Sequence, residues 1–349
     1  MIIETLLLLA LTADRPKIID VHAHLDAGAV ARIARIMDNN GIEVMVNLSG
    51  GNLSRGIRRT LALERALPGR IISFYTPDWS DINEPWWGAR EAHGLEVAVQ
   101  RFGFVGLKIS KALGLFLRDP AGRTIDVDDP RLDMLWERAG QLGVPVAIHT
   151  GDPKAFWEPN TPHNERYAEL GSHPGWSFHG EPVPSREELL AARDRMLERH
   201  MATTFICVHF GNNPEDAEYV GSLLERYPNA YVDIAARVPE IGRHPAKTVK
   251  ALFERFQDRI LFGTDIGISQ GGIMLGSTGE DEPTEADADR FYDTHWRFFE
   301  TNDRGFAHPT PIQGDWTIDA IGLSPAVLQK IYRDNAIALG LGPPKKMNQ

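Results

Sequence analysis

The sequence has little cysteine, no long hydrophobic run and no excess of positive charge. Its single cysteine, Cys207, excludes an intrachain disulfide framework and cannot by itself form a cysteine-rich zinc site. No apolar run reaches the ~20 residues that a membrane-spanning helix needs, so we expect no membrane partner. Because 48 acidic residues outnumber 37 basic ones and give a net charge of −11, no broad positive surface is expected to attract a nucleic acid.

The N-terminus contains one short segment that resembles a targeting signal. Residues 6–11 are apolar and precede Thr12 and Ala13, as at the end of a secretory signal peptide. Only Glu4 is charged before this run, whereas a signal peptide begins with basic residues. The remnant of a signal peptide is therefore an open alternative. The compartment stays undetermined, with a cytoplasmic location slightly favoured over a secreted or periplasmic one.

Eight short runs of β-forming apolar residues are spaced along the chain, and most precede a polar loop and an amphipathic helical pattern. This alternation predicts an α/β fold with a parallel sheet. We expect the sheet to close into a (β/α)8 TIM barrel with expanded loops after strands 5 and 8, and a doubly wound open sheet is the alternative. No linker interrupts the pattern, so one domain over residues 1–349 is expected, with its barrel core at about 17–341. The runs begin near Lys17, Glu43, Ile71, Phe104, Val144, Thr204, Ala230 and Ile260.

The ends of the predicted strands carry side chains that bind metals. Of the twelve histidines, His22 and His24 close the first strand, His149 the fifth and His209 the sixth, and Asp265 ends the eighth. Because the carboxyl ends of barrel strands meet at one mouth, these side chains are expected to converge. His22 and His24 are two residues apart, so in an extended strand they share a face. Imidazole and carboxylate ligands suit one divalent metal, with zinc favoured and manganese, iron or cobalt as alternatives.

These residues resemble the motifs of the amidohydrolase superfamily, specifically the branch of metal-dependent barrel enzymes related to aminocarboxymuconate semialdehyde decarboxylase. Members include hydrolases, lactonases and non-oxidative decarboxylases, so the resemblance specifies the superfamily and leaves the substrate open. It covers about residues 17–341 and rests on Asp20-Val21-His22-Ala23-His24, His149, His209, Gly263-Thr264-Asp265 and Ile331-Tyr332-Arg333-Asp334-Asn335-Ala336.

The resemblance implies a role for each residue of the set. Asp265 would be both a metal ligand and the base that takes a proton from an activated water, because a metal lowers the pKa of bound water to about 7 in favourable cases. His209 would stand beside the metal as an acid/base or polarising group, and the alternatives for it are a metal ligand or a buried structural histidine. The implied metal ligands are His22, His24, His149 and Asp265.

Lys108, on the predicted fourth strand, has three interpretations. Binuclear amidohydrolases carry a carboxylated lysine on this strand that bridges two metals, although the sequence otherwise resembles the mononuclear branch. A partly buried lysine at the mouth can also bind a substrate carboxylate or pair with an acidic neighbour. Lys111 is expected to face solvent, and Asp20 is expected to support the site as a hydrogen-bond acceptor.

Seven of the eight tryptophans fall in predicted strand-to-helix loops. Among them, Trp157 after the fifth strand and Trp296 after the eighth are candidate substrate contacts, since aromatic loops can cover the mouth of a barrel. Small aromatic cores inside long loops, or contacts between copies of the chain, are the alternative. Arg237, just beyond the seventh strand, is a candidate clamp for a substrate anion or a member of a surface salt bridge.

Together these residues favour a metal-dependent enzyme that acts on a small molecule, and the chain is a candidate homo-oligomer. The preferred reaction is hydrolysis of an amide, ester or lactone bond through a metal-activated water. The alternative on the same site is non-oxidative decarboxylation of an aromatic or unsaturated carboxylic acid. A non-catalytic binding protein is a third alternative, which is disfavoured because ligand binding does not require a metal-ligand set with an acid/base histidine beside it.

Overall fold

The computed structural model describes residues 15–279 and 282–343, and the apolar segment 6–11, considered above as a signal-peptide remnant, lies outside them. The eight predicted strands are present and begin within two residues of the expected positions. They are β1 (Ile18–Leu25), β2 (Ile42–Asn47), β3 (Ile71–Tyr75), β4 (Gly106–Ile109), β5 (Val146–Ile148), β6 (Phe205–Cys207), β7 (Ala230–Asp233) and β8 (Ile260–Leu261).

These strands form the wall of a barrel in sequence order, each parallel to the next. After β8 the chain continues as β9 (Ile266–Ile268), which pairs in parallel with β1. Val21 N donates to Phe262 O at 3.0 Å, so the end of the eighth strand also contacts the first. The sheet therefore closes, the (β/α)8 prediction is confirmed, and the open-sheet alternative is wrong. Three short strands are added outside the barrel wall: β10 (Ile273–Leu275), antiparallel to β9, and the pair β11 (Phe306–Ala307) and β12 (Thr317–Ile318).

Helices follow most of the strands and pack against the outside of the barrel. The longer ones are Val30–Asn39, Ile57–Ala66, Trp87–Phe102, Asp133–Leu142, Tyr167–Ser172, Arg186–Arg199, Ala217–Arg226, Ala246–Arg255 and Glu285–Glu300. The short ones are Ala112–Leu115, Val208–Gly211, Val238–Ile241, Pro325–Gln329 and Asn335–Ala338, with a π-helical turn at Lys330–Asp334. Among the residues that the structure describes, no helix combines the length and the apolar character that a membrane crossing requires.

The apolar core has two layers, one inside the barrel and one between the strands and the helices. The outer layer includes Ile33 and Met37 of the first helix and Trp136 of the helix after β4. The inner layer fills the barrel below its mouth, so the space for a ligand is at the carboxyl ends of the strands. Its members include Ile19, Val21, Val44, Val46, Ile72, Phe74, Ala147, Ile206 and Leu261.

A β-bulge in β1 directs both histidines of that strand to the mouth. The pairing of β1 with β2 shifts register between Asp20 and Ala23. Val21 packs in the inner layer, whereas Ala23, two residues later, packs in the outer layer. Since side chains alternate along a strand, His22 and His24 on either side of Ala23 both point toward the barrel axis.

Two long connections lie above the mouth. Between β5 and the helix Arg186–Arg199, the chain forms short helical turns and a small aromatic core that includes Phe156 and Phe178. Between β8 and the helix Glu285–Glu300 it forms β9 and β10. The prediction that Trp296 lies in a loop is wrong, because the sixteen-residue helix Glu285–Glu300 includes it and buries its ring in the outer layer.

Candidate metal centre

The side chains singled out by the sequence converge at the mouth. Asp265 Oδ1 lies 3.2 Å from His24 Nε2 and 3.4 Å from His22 Nε2. The ring centre of His209 lies 4.8 Å from that of His22 and 4.3 Å from that of His149. His22, His24 and Asp265 offer ligand atoms that all lie within 4.8 Å of one another. We call these five residues the metal cluster.

The hydrogen bonds of His22 leave one ring nitrogen for a metal. Asp233 Oδ2 accepts a hydrogen bond from His22 Nδ1 at 2.8 Å, which holds the ring with Nε2 toward Asp265. His22 Nε2 is buried and has no hydrogen-bond partner among the described residues. A buried polar atom normally has a partner, and a divalent metal bound by imidazole and carboxylate would supply it. The residues of the cluster therefore fit a metal ion.

His24 and His209 are oriented in the same way, through the Nδ1 atom. A hydrogen bond of 2.6 Å joins His24 Nδ1 to Ser49 Oγ. His209 Nδ1 donates to Ala235 O at 2.9 Å. In each ring Nε2 is left without these contacts, so it is the atom available to a metal or to a substrate.

His149 uses the opposite nitrogen. Its Nε2 donates to Gly151 O at 2.9 Å and lies 3.5 Å from Asp152 Oδ1, so Nδ1 is the atom left for the cluster. Asp152 also pairs with Lys111, whose Nζ lies 2.5 Å from Oδ2. Lys111 therefore lines the cavity beside His149. Its side chain is half-buried, with 29% exposed, so it faces solvent only in part, because the buried carboxylate of Asp152 draws it inward.

Several residues at these strand ends, among them His209, Ala236 and Asp265, have left-handed backbone angles that residues other than glycine rarely adopt. The φ angles are 56° at His209, 55° at Ala236 and 63° at Asp265. Each such conformation costs about 1–3 kcal/mol, so the surrounding contacts must maintain it. Asp265 N donates to His22 O at 2.9 Å, and His209 N donates to Asp233 Oδ1 at 2.7 Å. The strained turns thus hold two side chains of the cluster in place.

Burial and neighbouring charge set the ionisation of the cluster. Burial opposes ionisation of Asp265, but His22, His24 and Lys108 together lower its pKa well below the usual range. Burial, reinforced by the positive charge of Lys108, lowers the pKa of His22 well below 6.5. Burial and the neighbouring His149 do the same to the pKa of His209. Ionised carboxylate and neutral imidazole are the forms that bind a metal.

Two more cations face the cluster. Lys108 Nζ is buried and has no hydrogen-bond partner among the described residues, and burial lowers its pKa from 10.5 to about 8. Arg237 is only 6% exposed and lines the same cavity as His209 and Asp265, with Nη1 donating to Ala236 O at 3.0 Å. A surface salt bridge is therefore the wrong interpretation of Arg237, because its side chain lies inside the mouth.

The structure places the two predicted tryptophan contacts away from the cavity at the cluster. Trp157 packs on Phe178 at 4.7 Å between ring centres and donates from Nε1 to Pro184 O, so it belongs to the small core of the loop after β5. Trp296 stacks on Phe262 at 5.1 Å within the outer layer. Aromatic walls of the cavity come instead from Trp176, another of the seven loop tryptophans, and from Phe156, which the sequence reasoning did not consider.

The sequence reasoning missed Asp233, although it is the last residue of β7 and the strand-end rule applies to it equally. Asp20 was expected to support the site as an acceptor, and it does so through the backbone: its Oδ1 accepts from the amides of His22 and Thr264, each at 3.1 Å. Tyr292 donates to Asp20 Oδ2 at 2.8 Å. Asp20 thus contacts the backbone of His22, whereas Asp233 contacts its imidazole ring.

A histidine–carboxylate cluster at the carboxyl ends of the strands of a (β/α)8 barrel defines a metal-dependent barrel enzyme. The chain belongs to the amidohydrolase family, whose model, described as "Amidohydrolase", matches residues 79–339. The resemblance inferred from the residues is thereby confirmed, and the chain belongs to a family of enzymes. A search of the curated proteins finds no match.

Solved structures share the fold at low sequence identity. A 2,6-dihydroxybenzoate decarboxylase from Rhizobium is 17% identical, with 92% of this chain and 98% of that chain covered and a TM-score of 0.52. A dihydroxybenzoic acid decarboxylase from Polaromonas, with bound manganese and the inhibitor 2-nitroresorcinol, is 18% identical over 92% and 96%, with a TM-score of 0.52. A dihydroorotase from Campylobacter jejuni is 12% identical over 96% and 85%, with a TM-score of 0.51.

Proposed function

We propose that the protein is a metal-dependent enzyme that acts on a small organic acid, by non-oxidative decarboxylation of an aromatic or unsaturated carboxylate. The observation that carries this proposal is the combination at one mouth of an unpartnered imidazole nitrogen, on His22, with two cations that face the cluster, Lys108 and Arg237. The unpartnered nitrogen of His22 is suited to bind a metal, and the side chains of Lys108 and Arg237 are suited to bind an anionic substrate.

The metal would be held by His22, His24, His149 and Asp265. Nε2 of His22 and of His24 lies within 3.4 Å of Asp265 Oδ1, and the ring of His149 packs beside that of His209, with Nε2 engaged by Gly151 O and Nδ1 as its remaining ligand atom. When bound, a divalent ion supplies positive charge that polarises a substrate oxygen or activates water. Zinc is the ion expected from the sequence. Manganese is an equal candidate, because oxygen and nitrogen ligands suit both ions and the Polaromonas decarboxylase contains manganese.

The remaining residues would bind the substrate and move a proton. Lys108 and Arg237 would hold the carboxylate, and the alternative for Lys108 is carboxylation of its unpartnered Nζ. His209 Nε2 is free because Nδ1 is engaged by Ala235 O, so it can carry a proton to the carbon that loses carbon dioxide.

Hydrolysis of an amide, ester or lactone is the second candidate. The ionised Asp265 supports it, because a carboxylate beside two ligand histidines can take the proton of an attacking water. From the sequence alone, hydrolysis was the preferred reaction and decarboxylation the alternative. We favour decarboxylation because Lys108 and Arg237 suit an acid substrate, and because two structures of the same fold are decarboxylases of hydroxybenzoic acids.

One assay separates the two reactions. The metal-loaded protein is offered amides, esters, lactones and aromatic or unsaturated acids in water labelled with ¹⁸O and deuterium. We expect an active acid to release carbon dioxide, with deuterium at carbon and no ¹⁸O in the product. Uptake of ¹⁸O would establish hydrolysis instead. Loss of turnover after chelation, restored by one metal ion per chain, is expected for both reactions.

We also infer that the barrel core, about residues 17–341, acts as one catalytic domain. Its first strand contributes His22 and His24, and the end of its eighth strand contributes Asp265. The site is therefore complete only when the first and the eighth strand lie side by side in the closed barrel. Association into a homo-oligomer stays a prediction, which the mass of the protein in solution would test.

A further inference from the structure

The chain that leaves β6 follows an unusual path beside the metal cluster. Four successive residues have left-handed backbone angles, with φ of 56° at His209, 55° at Phe210, 66° at Gly211 and 53° at Asn212. Residues other than glycine rarely adopt this conformation, although asparagine does so more readily than most. Because the path is unfavourable by itself, contacts with the rest of the protein must maintain it. We call these four residues the β6 turn.

Two buried arginines of one helix hold the far end of the β6 turn. Arg193, which is fully buried, donates from Nη1 to Gly211 O. Arg186 donates from Nη2 to Asn212 O at 2.9 Å and from Nε to Asp152 O at 3.3 Å. Arg186 thus also binds the loop that follows β5. The β6 turn and the start of the β5 loop are therefore fixed to the same helix.

The side chain of Asn212 joins the β6 turn directly to the β5 loop. The residue is 2% exposed. Its Oδ1 accepts from Thr150 N at 2.9 Å, and its Nδ2 donates to Gly151 O at 2.6 Å. Both bonds form only with the amide oxygen toward Thr150 and the amide nitrogen toward Gly151, so they fix the orientation of the side chain. One amide therefore holds the two residues that follow His149.

The carbonyl of Gly151 also receives a hydrogen bond from His149 Nε2, at 2.9 Å. A carbonyl oxygen has two lone pairs, so it can accept from Asn212 and from the imidazole at once. Because a carbonyl only accepts, this bond requires the proton of His149 on Nε2 and leaves Nδ1 unprotonated. An unprotonated ring nitrogen is the form that binds a metal, so the position of Gly151 O selects the tautomer that the cluster needs.

Asp152 is a second acceptor near His149 Nε2, and it is less well placed. Its Oδ1 lies 3.5 Å from this nitrogen, which is beyond the usual range of about 2.7–3.2 Å for an N–H···O bond. Its Oδ2 is engaged by Lys111 Nζ. The carbonyl of Gly151 is therefore the main partner of the ring. Without the Asn212 amide this carbonyl would be free to move, and the ring could turn toward Asp152.

We propose that Asn212 is a positioning residue of the metal centre, which acts through Gly151 O to keep His149 in the tautomer and orientation that present Nδ1 to a metal. Asn212 lies outside the wall of the cavity at the cluster, so it acts only through other groups. It belongs to the same turn as His209, and it therefore also fixes the acid/base histidine relative to a ligand histidine. This inference rests on the proposed function, because it takes His149 to be a metal ligand.

The variant Asn212→Gly tests this role, because glycine removes the amide and accepts the left-handed backbone at φ 53° without strain. We expect the full chain to bind Co²⁺ about tenfold more weakly, the low end of the usual effect of losing a group that orients a ligand histidine, since Asn212 acts through a carbonyl. Competition with a chromophoric chelator measures this affinity. The visible absorption spectrum of the cobalt-loaded variant should also differ from that of the wild type, because it reports the ligand geometry.

The tautomer of His149 is the second readout, measured by ¹⁵N NMR of the metal-free full chain at neutral pH. We expect the proton on Nε2 in the wild type and a mixture of the two tautomers in Asn212→Gly. A loss of stability alone would leave the tautomer of the folded protein unchanged. Asn229→Gly is the matched control. This buried asparagine also donates from Nδ2 to carbonyls, of Leu197, His200 and Thr203, but it precedes β7 at the opposite end of the barrel.

Three outcomes would overturn the proposal: a proton on Nδ1 of His149 in the wild type, whatever the variant does; unchanged cobalt affinity and tautomer in Asn212→Gly; or equal losses with Asn229→Gly. His149→Ala separates this inference from the proposed function. If that variant keeps its metal affinity, the proposed ligand set is wrong. If it loses the metal while Asn212→Gly retains it, the metal centre stands and the role of Asn212 is refuted.

Discussion

Replacing Asp233 with asparagine tests whether the hydrogen bond between Asp233 and His22 Nδ1 keeps His22 Nε2 free to bind a metal. Asp233 Oδ2 accepts from His22 Nδ1 at 2.8 Å, and the residue is 1% exposed. Asparagine has nearly the same size and can still accept from His209 N through Oδ1, but its amide cannot accept a proton from Nδ1. His22 would then favour the tautomer with its proton on Nε2, the atom that must be free to bind a metal.

The expected loss is a 10–100-fold weaker metal affinity, the usual effect of removing a partner that orients a ligand histidine, or about 1.4–2.8 kcal/mol. The fold should survive the change. Burial raises the pKa of Asp233 to about 6, so the ionised carboxylate is itself costly in the metal-free protein, and a neutral side chain of equal size removes that cost.

Competition with a chromophoric chelator at neutral pH measures the affinity, and thermal unfolding of the metal-free protein checks the fold. Asp258→Asn is the matched control, because Asp258 is 72% exposed at its side chain and pairs with Lys330 far from the cluster. Unchanged metal affinity in a folded Asp233→Asn protein would refute the reasoning that His22 is a ligand oriented by this carboxylate.

Three further predictions concern the ligands, the acid/base group and the core. Replacing His22 or His24 by alanine should lower metal content, measured by elemental analysis, from about one ion per chain; two ions together with a carboxylated Lys108 would contradict the mononuclear site. His209→Asn should keep the metal while reducing kcat by about 10²–10⁴-fold, and loss of metal in this variant would make His209 a ligand. Burial lowers the pKa of His295 from 6.5 to about 4, so the neutral ring stabilises the fold fully above pH 6.5, and this stability is lost as the pH falls toward 4. Denaturant unfolding should therefore show a difference between wild type and His295→Phe that changes by up to ~3 kcal/mol across this interval, and parallel pH curves would contradict it.

The strands and the strand-end residues could be predicted because they depend on local pattern. Short runs of β-forming apolar residues, each followed by a polar loop, located β1 to β8 within two residues, and the strand-end rule selected His22, His24, His149, His209 and Asp265. Barrel strands are parallel, so their carboxyl ends must meet, whichever helices join them. Convergence at the mouth follows from this rule before any contact is known.

The sequence pattern alone could not determine which side chain each ligand contacts. His22 and Asp233 are 211 residues apart in the sequence. Asp265 lies in the turn between β8 and β9, and β9 pairs with β1 at the other end of the barrel sequence. No local pattern predicts either contact. Lys111 faces inward because a carboxylate from another loop, on Asp152, draws it there.

The sequence by itself therefore determined the fold class, the strand ends and the enzyme family, since apolar patterning and residue type report on local structure. Only the tertiary structure decided which ring nitrogen is free and that Trp296 is buried in the outer layer. The physical reason is that hydrogen bonds and cavities at the mouth are made by loops from distant parts of the chain, whose meeting depends on closure of the whole barrel.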